Sequence, residues 1–316
     1  MKTFNKLFLA VLMVIPMSLF AQQDYQFTQF NFNKLAINPA YAGSRDVLSL
    51  TALYRDQWSG FDGAPKTFSI NGHTPLAKDK VGLGLHVFND RLGIASNTGA
   101  YITYAYRIRM DNKDVLSLGL QTGILALKQN YTKLNPIDPD DANLQADVSN
   151  VFGNAGVGAY YYGKNYYLGL SVPHLVKNQL NDTPIAGSDV ATLYRHVYAM
   201  GGYVFDIASD VKLRPSVLVK HAGLGNDEVG IPLDVDFNLA TLLFDKLWLG
   251  VAYRLDDSFD AMIEYIIDER FMIGYAYDHT LTELNSYHNG SHEIMLRYEF
   301  NQKPKKHVTP RYIKYF

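Results

Sequence analysis

The chain has 316 residues, a formal net charge of -2 and no cysteine. Near-neutrality supplies no basic field for a nucleic-acid backbone, and the missing thiols exclude disulfides, thiolate catalysis and Cys-ligated metals together. Beyond the amino-terminal end the 47% hydrophobic content is spread among polar residues, so membrane-spanning helices are excluded.

The first predicted element is an export signal. Lys2 and Lys6 precede an apolar run from Leu7 to Phe20, and the small Ala21 stands before Gln22 and Gln23. That run is too short for a spanning helix and contains Pro16, so residues 1–21 read as a cleaved secretory signal peptide.

Residues 22–45 form a separate segment. It carries Phe27, Phe30, Phe32, Leu35 and Ile37, then "NPAYAGS" from Asn38 to Ser44 with Pro39, Tyr41 and Gly43. Turn chemistry accounts for the Pro and Gly locally. An apolar stretch of this kind does not stay in water, because a contiguous exposed patch is costly and aggregation-prone. It is expected to pack in a barrel interior or at its mouth, as a plug.

From Asp46 to Phe300 the sequence falls into alternating segments of about ten residues, the signature of an outer-membrane strand. In "KLWLGVAYRL" Leu247, Leu249, Val251, Tyr253 and Leu255 share one face, and Trp248, Gly250, Ala252 and Arg254 the other. "KVGLGLHVF", "FMIGYAYDH" and "HEIMLRYEF" repeat the asymmetry, with charges confined to one face. Strands are predicted at 46–58, 65–74, 79–90, 96–110, 113–128, 151–162, 165–172, 191–207, 210–221, 230–243, 246–256, 258–267, 269–281 and 291–300. An even number, about fourteen, closes an antiparallel up-and-down β-barrel with no edge left in lipid.

The connections support this all-β transmembrane reading. Tight turns such as "DNKD" (111–114), "GKN" (163–165) and "DK" (245–246) alternate with long pieces at 129–150, 173–190 and 282–290. Bacterial barrels place short turns in the periplasm and long loops outside. A soluble β-sandwich also alternates, but it leaves unexplained both the apolar face on nearly every strand and the many tyrosines, 23 in all. Rings with one wet end suit a membrane interface.

The predicted inward faces are rich in glycine: Gly82, Gly84, Gly119, Gly123, Gly156, Gly158, Gly169, Gly250 and Gly274. Such glycines either admit another backbone closely or relieve strand curvature. Lys212, Arg214 and Lys220 on one strand and Asp234, Asp236 and Asn238 on the next are expected inside as luminal ion pairs, rather than as a selectivity ring. Pro215 suggests a bulge.

His279, His288 and His292 lie around one loop without metal-ligand spacing, and Asp138, Asp140 and Asp141 lack the other features of an EF-hand. No catalytic, cofactor or metal site is recognisable, and an enzyme is not expected. After the last strand, residues 301–316 form a tail with Lys303, Lys305, Lys306, Arg311 and Lys314 and no acidic residue, ending in Tyr312, Ile313, Tyr315 and Phe316. On this topology the tail is periplasmic, and its basic and aromatic mixture suits a periplasmic protein or the inner leaflet as partner.

Four stretches, "INPAYAGSRDVLSLTALYRDQWSGFDGAPKTFSINGHTPL", "KVGLGLHVFNDRLGIASNTGAYITYAYRI", "VGAYYYGKNYYLGLSVPHL" and "HEIMLRYEF", resemble the PorP/SprF family of the Bacteroidetes type IX secretion system. The resemblance implies an outer-membrane component that supports export or surface attachment of particular secreted cargo proteins, in some relatives gliding-motility adhesins. Its implied partners are outer-membrane lipid, cargo and other secretion components, and it implies no cofactor and no catalytic residue. The rival reading is an outer-membrane channel or hydrophobic-solute transporter.

Overall fold

The computed structural model describes residues 25–77, 79–134, 146–176, 195–222 and 233–300. The signal region, the Asp138–Asp141 loop and the basic tail lie outside them.

Strands β1 (Leu48–Asp56), β2 (Lys66–Leu76), β3 (Val81–Leu92), β4 (Ala95–Arg109), β5 (Val115–Gln129), β6 (Val148–Tyr162) and β7 (Tyr166–Val172) form one half of a ring. The other half comprises β8 (His196–Tyr203), β9 (Phe205–Ala208), β10 (Val211–Ala222), β11 (Asp234–Leu243), β12 (Leu247–Arg254), β13 (Ser258–Ile267), β14 (Phe271–Thr280) and β15 (Ser291–Phe300). Each pairs antiparallel with its neighbour in sequence, and β1 pairs β15 to close the ring. β8 and β9 are two pieces of one stave against β10, so the barrel has fourteen staves.

The period of two puts the two residue sets on opposite walls. Leu249, Val251, Ile273, Tyr275, Ile294 and Leu296 are exposed on the outside, while Trp248, Ala252, Arg254, Ala276, Glu293 and Met295 are buried inside. A shift of one residue would reverse every one of these. The tyrosines divide between the walls: Tyr104, Tyr106 and Tyr265 lie outside, whereas Tyr101, Tyr160, Tyr162, Tyr167 and Tyr198 are buried. The composition argument placed them all at the membrane interface. A second role of these rings is to fill the interior.

Pro215 does not produce a bulge. Ser216↔Gly202 on one side and Leu213↔Phe205 on the other keep one register. The neighbouring stave is interrupted at Val204, level with Arg214, where Val204 N donates to Asn165 O at 2.6 Å. The register shift falls at Val211/Lys212.

The ring has a short-turn end and a long-loop end. At the short-turn end, hydroxyls of Tyr166 and Tyr161 donate to Asp114 at 2.6 and 2.8 Å and hold its carboxyl below the usual range. At the long-loop end, residues 57–65 and 281–290 are tied together by Ser59 N to Gly290 O and Asn289 N to Ser59 O, both 2.8 Å. Burial, with His279 nearby, lowers the His288 pKa, leaving Nδ1 to accept from Gly290 N. His292 Nδ1 instead lies 2.7 Å from the Tyr275 hydroxyl.

Candidate functional site

Residues 25–47 run through the ring interior. Their three short 3-10 turns, Phe30–Phe32, Lys34–Ala36 and Pro39–Tyr41, follow from sequence chemistry. Pro39 at the first helical position needs no N–H partner, and the Asn38 side chain caps the turn by accepting from Ala40 N at 2.9 Å. Gly43, at φ 76°, turns the chain toward β1.

The segment lies along the barrel axis. Tyr25 packs on Phe88 (centroids 4.6 Å) and Gln26 bonds Asp234, both toward the long-loop end. Arg45 pairs with Glu299 and Asp46 with Arg107 (2.6 Å) at the short-turn end. Between them Phe27, Phe30, Phe32, Leu35, Ile37, Ala40, Tyr41 and Ala42 are all buried. Each large apolar side chain so placed contributes roughly 1.5–3 kcal/mol before ordering costs.

The glycines form the wall against which this backbone rests. A side chain at Gly82 would collide with the Ala42 carbonyl, at Gly119 with Ala40 N, at Gly158 with Asn38 Oδ1 and at Gly274 with Gln29 Oε1. Gly84 meets Leu35, and Gly169 meets Asn38 and Met200. The other three named glycines have different neighbours: Gly123 meets Tyr101 and Ala100, Gly156 meets Pro173, and Gly250 meets Met262. Close approach of the segment's backbone therefore explains two of the nine, Gly82 and Gly119, and its side chains lie against four more, Gly84, Gly158, Gly169 and Gly274.

Polar contacts fix the register of the segment. Backbone N–H groups of Thr28 and Gln29 donate to Glu293 at 3.0 and 2.9 Å, and Thr28 Oγ1 donates to Asp278 at 2.7 Å. Ser171 donates to Ile37 O and Ser117 to Ala40 O, both at 2.6 Å, while Asn38 Nδ2 donates to Ala159 O at 3.0 Å. Arg297 donates to Phe32 O. Contacts thus come from opposite sides of the ring.

The luminal charges are distributed differently from the expected row of pairs. Arg214 is fully buried with its guanidinium 4.2 Å from the Trp248 ring centroid and 4.7 Å from that of Phe32. Asp236 receives Arg254 Nε at 2.9 Å, and Lys212 bonds Asp206 at 3.2 Å. Only Lys220 stands directly opposite Asp234. Sequence reasoning missed Lys34, whose ammonium is fully buried, donates to Asn31 O at 2.7 Å and lies 4.4 Å from the Tyr167 ring centroid. It also missed Arg55, which bridges Asp278 (2.6 Å) and Glu293 (3.3 Å). Both sit at inward positions that the alternation makes visible, but their partners lie far away in sequence.

Residues 19–298 match the family described as "Type IX secretion system membrane protein PorP/SprF". No curated protein matches the chain. Among solved structures, the monoaromatic hydrocarbon channel CymD is similar at 10% identity and TM-score 0.50, covering 85% of this chain and 93% of its own. The toluene transporter TbuX of Ralstonia pickettii gives 9% identity and TM-score 0.49, with coverage of 84% and 92%. A FadL homologue of Pseudomonas aeruginosa gives 13% and 0.46, with coverage of 84% and 94%.

Proposed function

Since the chain belongs to the PorP/SprF family of type IX secretion system membrane proteins, and is an outer-membrane barrel, we propose that it supports export or surface attachment of specific cargo as a plugged docking barrel rather than as a conduit. The observation that carries this reading is the buried, hydrogen-bonded course of residues 25–47 through the ring. A polypeptide on its way out has no path past side chains such as Phe32, Leu35 and Tyr41 unless this segment leaves. The segment from Phe27 to Gly43 is then the plug, with Asn38 and Pro39 setting its turn. Cargo is engaged at the loops outside and machinery at the periplasmic face.

The basic tail, residues 301–316, supplies a second surface in this proposal. Its Lys303, Lys305, Lys306 and Arg311 attract a periplasmic component, and Tyr312 and Tyr315 hold it. Photocrosslinkers at Tyr312 and Tyr315 should capture a secretion component, and removal of the tail should lower cargo release while the barrel stays inserted.

Planar-bilayer conductance tests the central point. The intact chain should show no stable channel, and deletion of residues 24–45 should open one without preventing insertion. An intact chain that conducts as freely as the deletion would favour the channel or hydrophobic-solute transporter instead.

A further inference from the structure

On the wall made by β11–β15, the outer half of the barrel buries the carboxylates Asp236, Asp260, Asp278 and Glu293. Two guanidinium groups face them, and both are engaged. Arg254 bonds Asp236 at 2.9 Å and the exposed Asp257 at 3.1 Å, and Arg55 serves Asp278 and Glu293. Four carboxylates against two guanidiniums leave two uncompensated negative charges when all are ionised.

Asp260 is the least compensated of the four. It is fully buried, and beyond the neighbouring Ser258 hydroxyl its carboxylate has no hydrogen-bond partner among the described residues. It stands directly opposite Asp278 across the β13–β14 pair, a position in which Cβ atoms lie about 4.5–5.5 Å apart and like charges repel. A buried charge so sparsely partnered is strongly unfavourable.

Neutral oxygens supply an independent observation. Asn238 Oδ1 is buried and lacks a hydrogen-bond partner among the described residues, and the buried Ser258 Oγ lies against Asp260. Asn238 is level with Asp260, with only the small Ala252 between them on β12. Its Nδ2 is turned to Met262 Sδ at 3.5 Å, so the amide is oriented with its oxygen left over.

We propose that this pocket binds a hard divalent cation of the calcium class, with Asp260 as the principal ligand, Asp278 sharing the charge, and Asn238 and Ser258 offering neutral oxygens. Two positive charges match the excess, and oxygen donors are those calcium prefers. No set of three Asp, Glu or His side chains converges as a metal site among the described residues, so water completes the shell. The affinity then falls near that of extracellular calcium modules, Kd about 10⁻⁴–10⁻³ M. Because Asp278 also accepts from Thr28, the ion couples the wall to the enclosed segment.

The test uses the full chain, folded in detergent, cleared with EDTA and then titrated with calcium chloride. Equilibrium dialysis should find one saturable site, the unfolding midpoint should rise with calcium, and Asp260→Asn should lose both responses while keeping the heat-modifiable migration of a folded barrel. Asn238→Ala should weaken binding about tenfold, the low end of what loss of a supporting group costs a metal site. Should Asp260→Asn fail to fold, the wild-type stoichiometry and the Asn238→Ala shift decide the matter. No saturable binding by the wild type, or equal binding by Asp260→Asn, overturns the proposal. Absent calcium binding together with a stability that depends on pH through Asp260 would mean that a proton, not a metal, relieves the pair.

Discussion

Lys34 presents the sharpest conflict between residue and surroundings. Its ammonium is buried with a carbonyl and an aromatic face for company, and burial of a charge costs more than one such hydrogen bond returns. Lys34→Met keeps the length and removes the charge. It should raise unfolding stability by about 1–4 kcal/mol, the range seen when buried ionic groups yield to apolar ones, and denaturant titration in micelles would read it. The outer wall gives the opposite case. Val251 is exposed there, so Val251→Arg should cost about 2–4 kcal/mol near the bilayer midplane in the same titration. Spin labels at Val251 and Gly250 should report lipid at the first and not at the second.

At the scale of elements, the strands were legible because their period is two and lipid demands an apolar outer face regardless of neighbours. The chain Leu247, Leu249, Val251, Tyr253 needs no knowledge of β11 or β13 to be oriented. The glycine wall was half legible. Gly82 and Gly119 stood out as small inward residues, but strand curvature explained them equally well until Ala42 and Ala40 were found against them. Segment and wall meet only after the ring closes, which a local pattern cannot express. For the same reason the stacking of Arg214 on Trp248 was hidden, since the pairing expected from adjacent strands is the nearest alternative in sequence. An engineered pair tests the enclosed element directly. Ala40→Cys with Ser117→Cys should form a disulfide, the Ser117 hydroxyl being 2.6 Å from Ala40 O. The native chain has no cysteine to confuse the gel shift. A reduced pair in an otherwise folded barrel would show that the segment lies elsewhere.

For the whole molecule, sidedness follows from loop length. A cysteine at Tyr287, on the tied pair of long loops, should react with an impermeant maleimide on intact cells. One at Lys246, in a short turn, should react only after the outer membrane is breached. Reversal of the two would invert the barrel and with it the periplasmic position assigned to residues 301–316.

The direction in which the segment runs has a mechanical consequence. The segment enters β1 beside Asp46 and Arg107 at the short-turn end, while Tyr25, on Phe88, lies toward the long-loop end. A thread anchored at one end of a tube can be drawn out only through that end. A pull from the long-loop end is resisted by the peptide bonds leading into β1. Traction from the short-turn end meets no such obstacle and draws Tyr25 down the axis, away from Phe88. With the sidedness that loop length predicts, the segment is held against force from outside and yields to force from the periplasm.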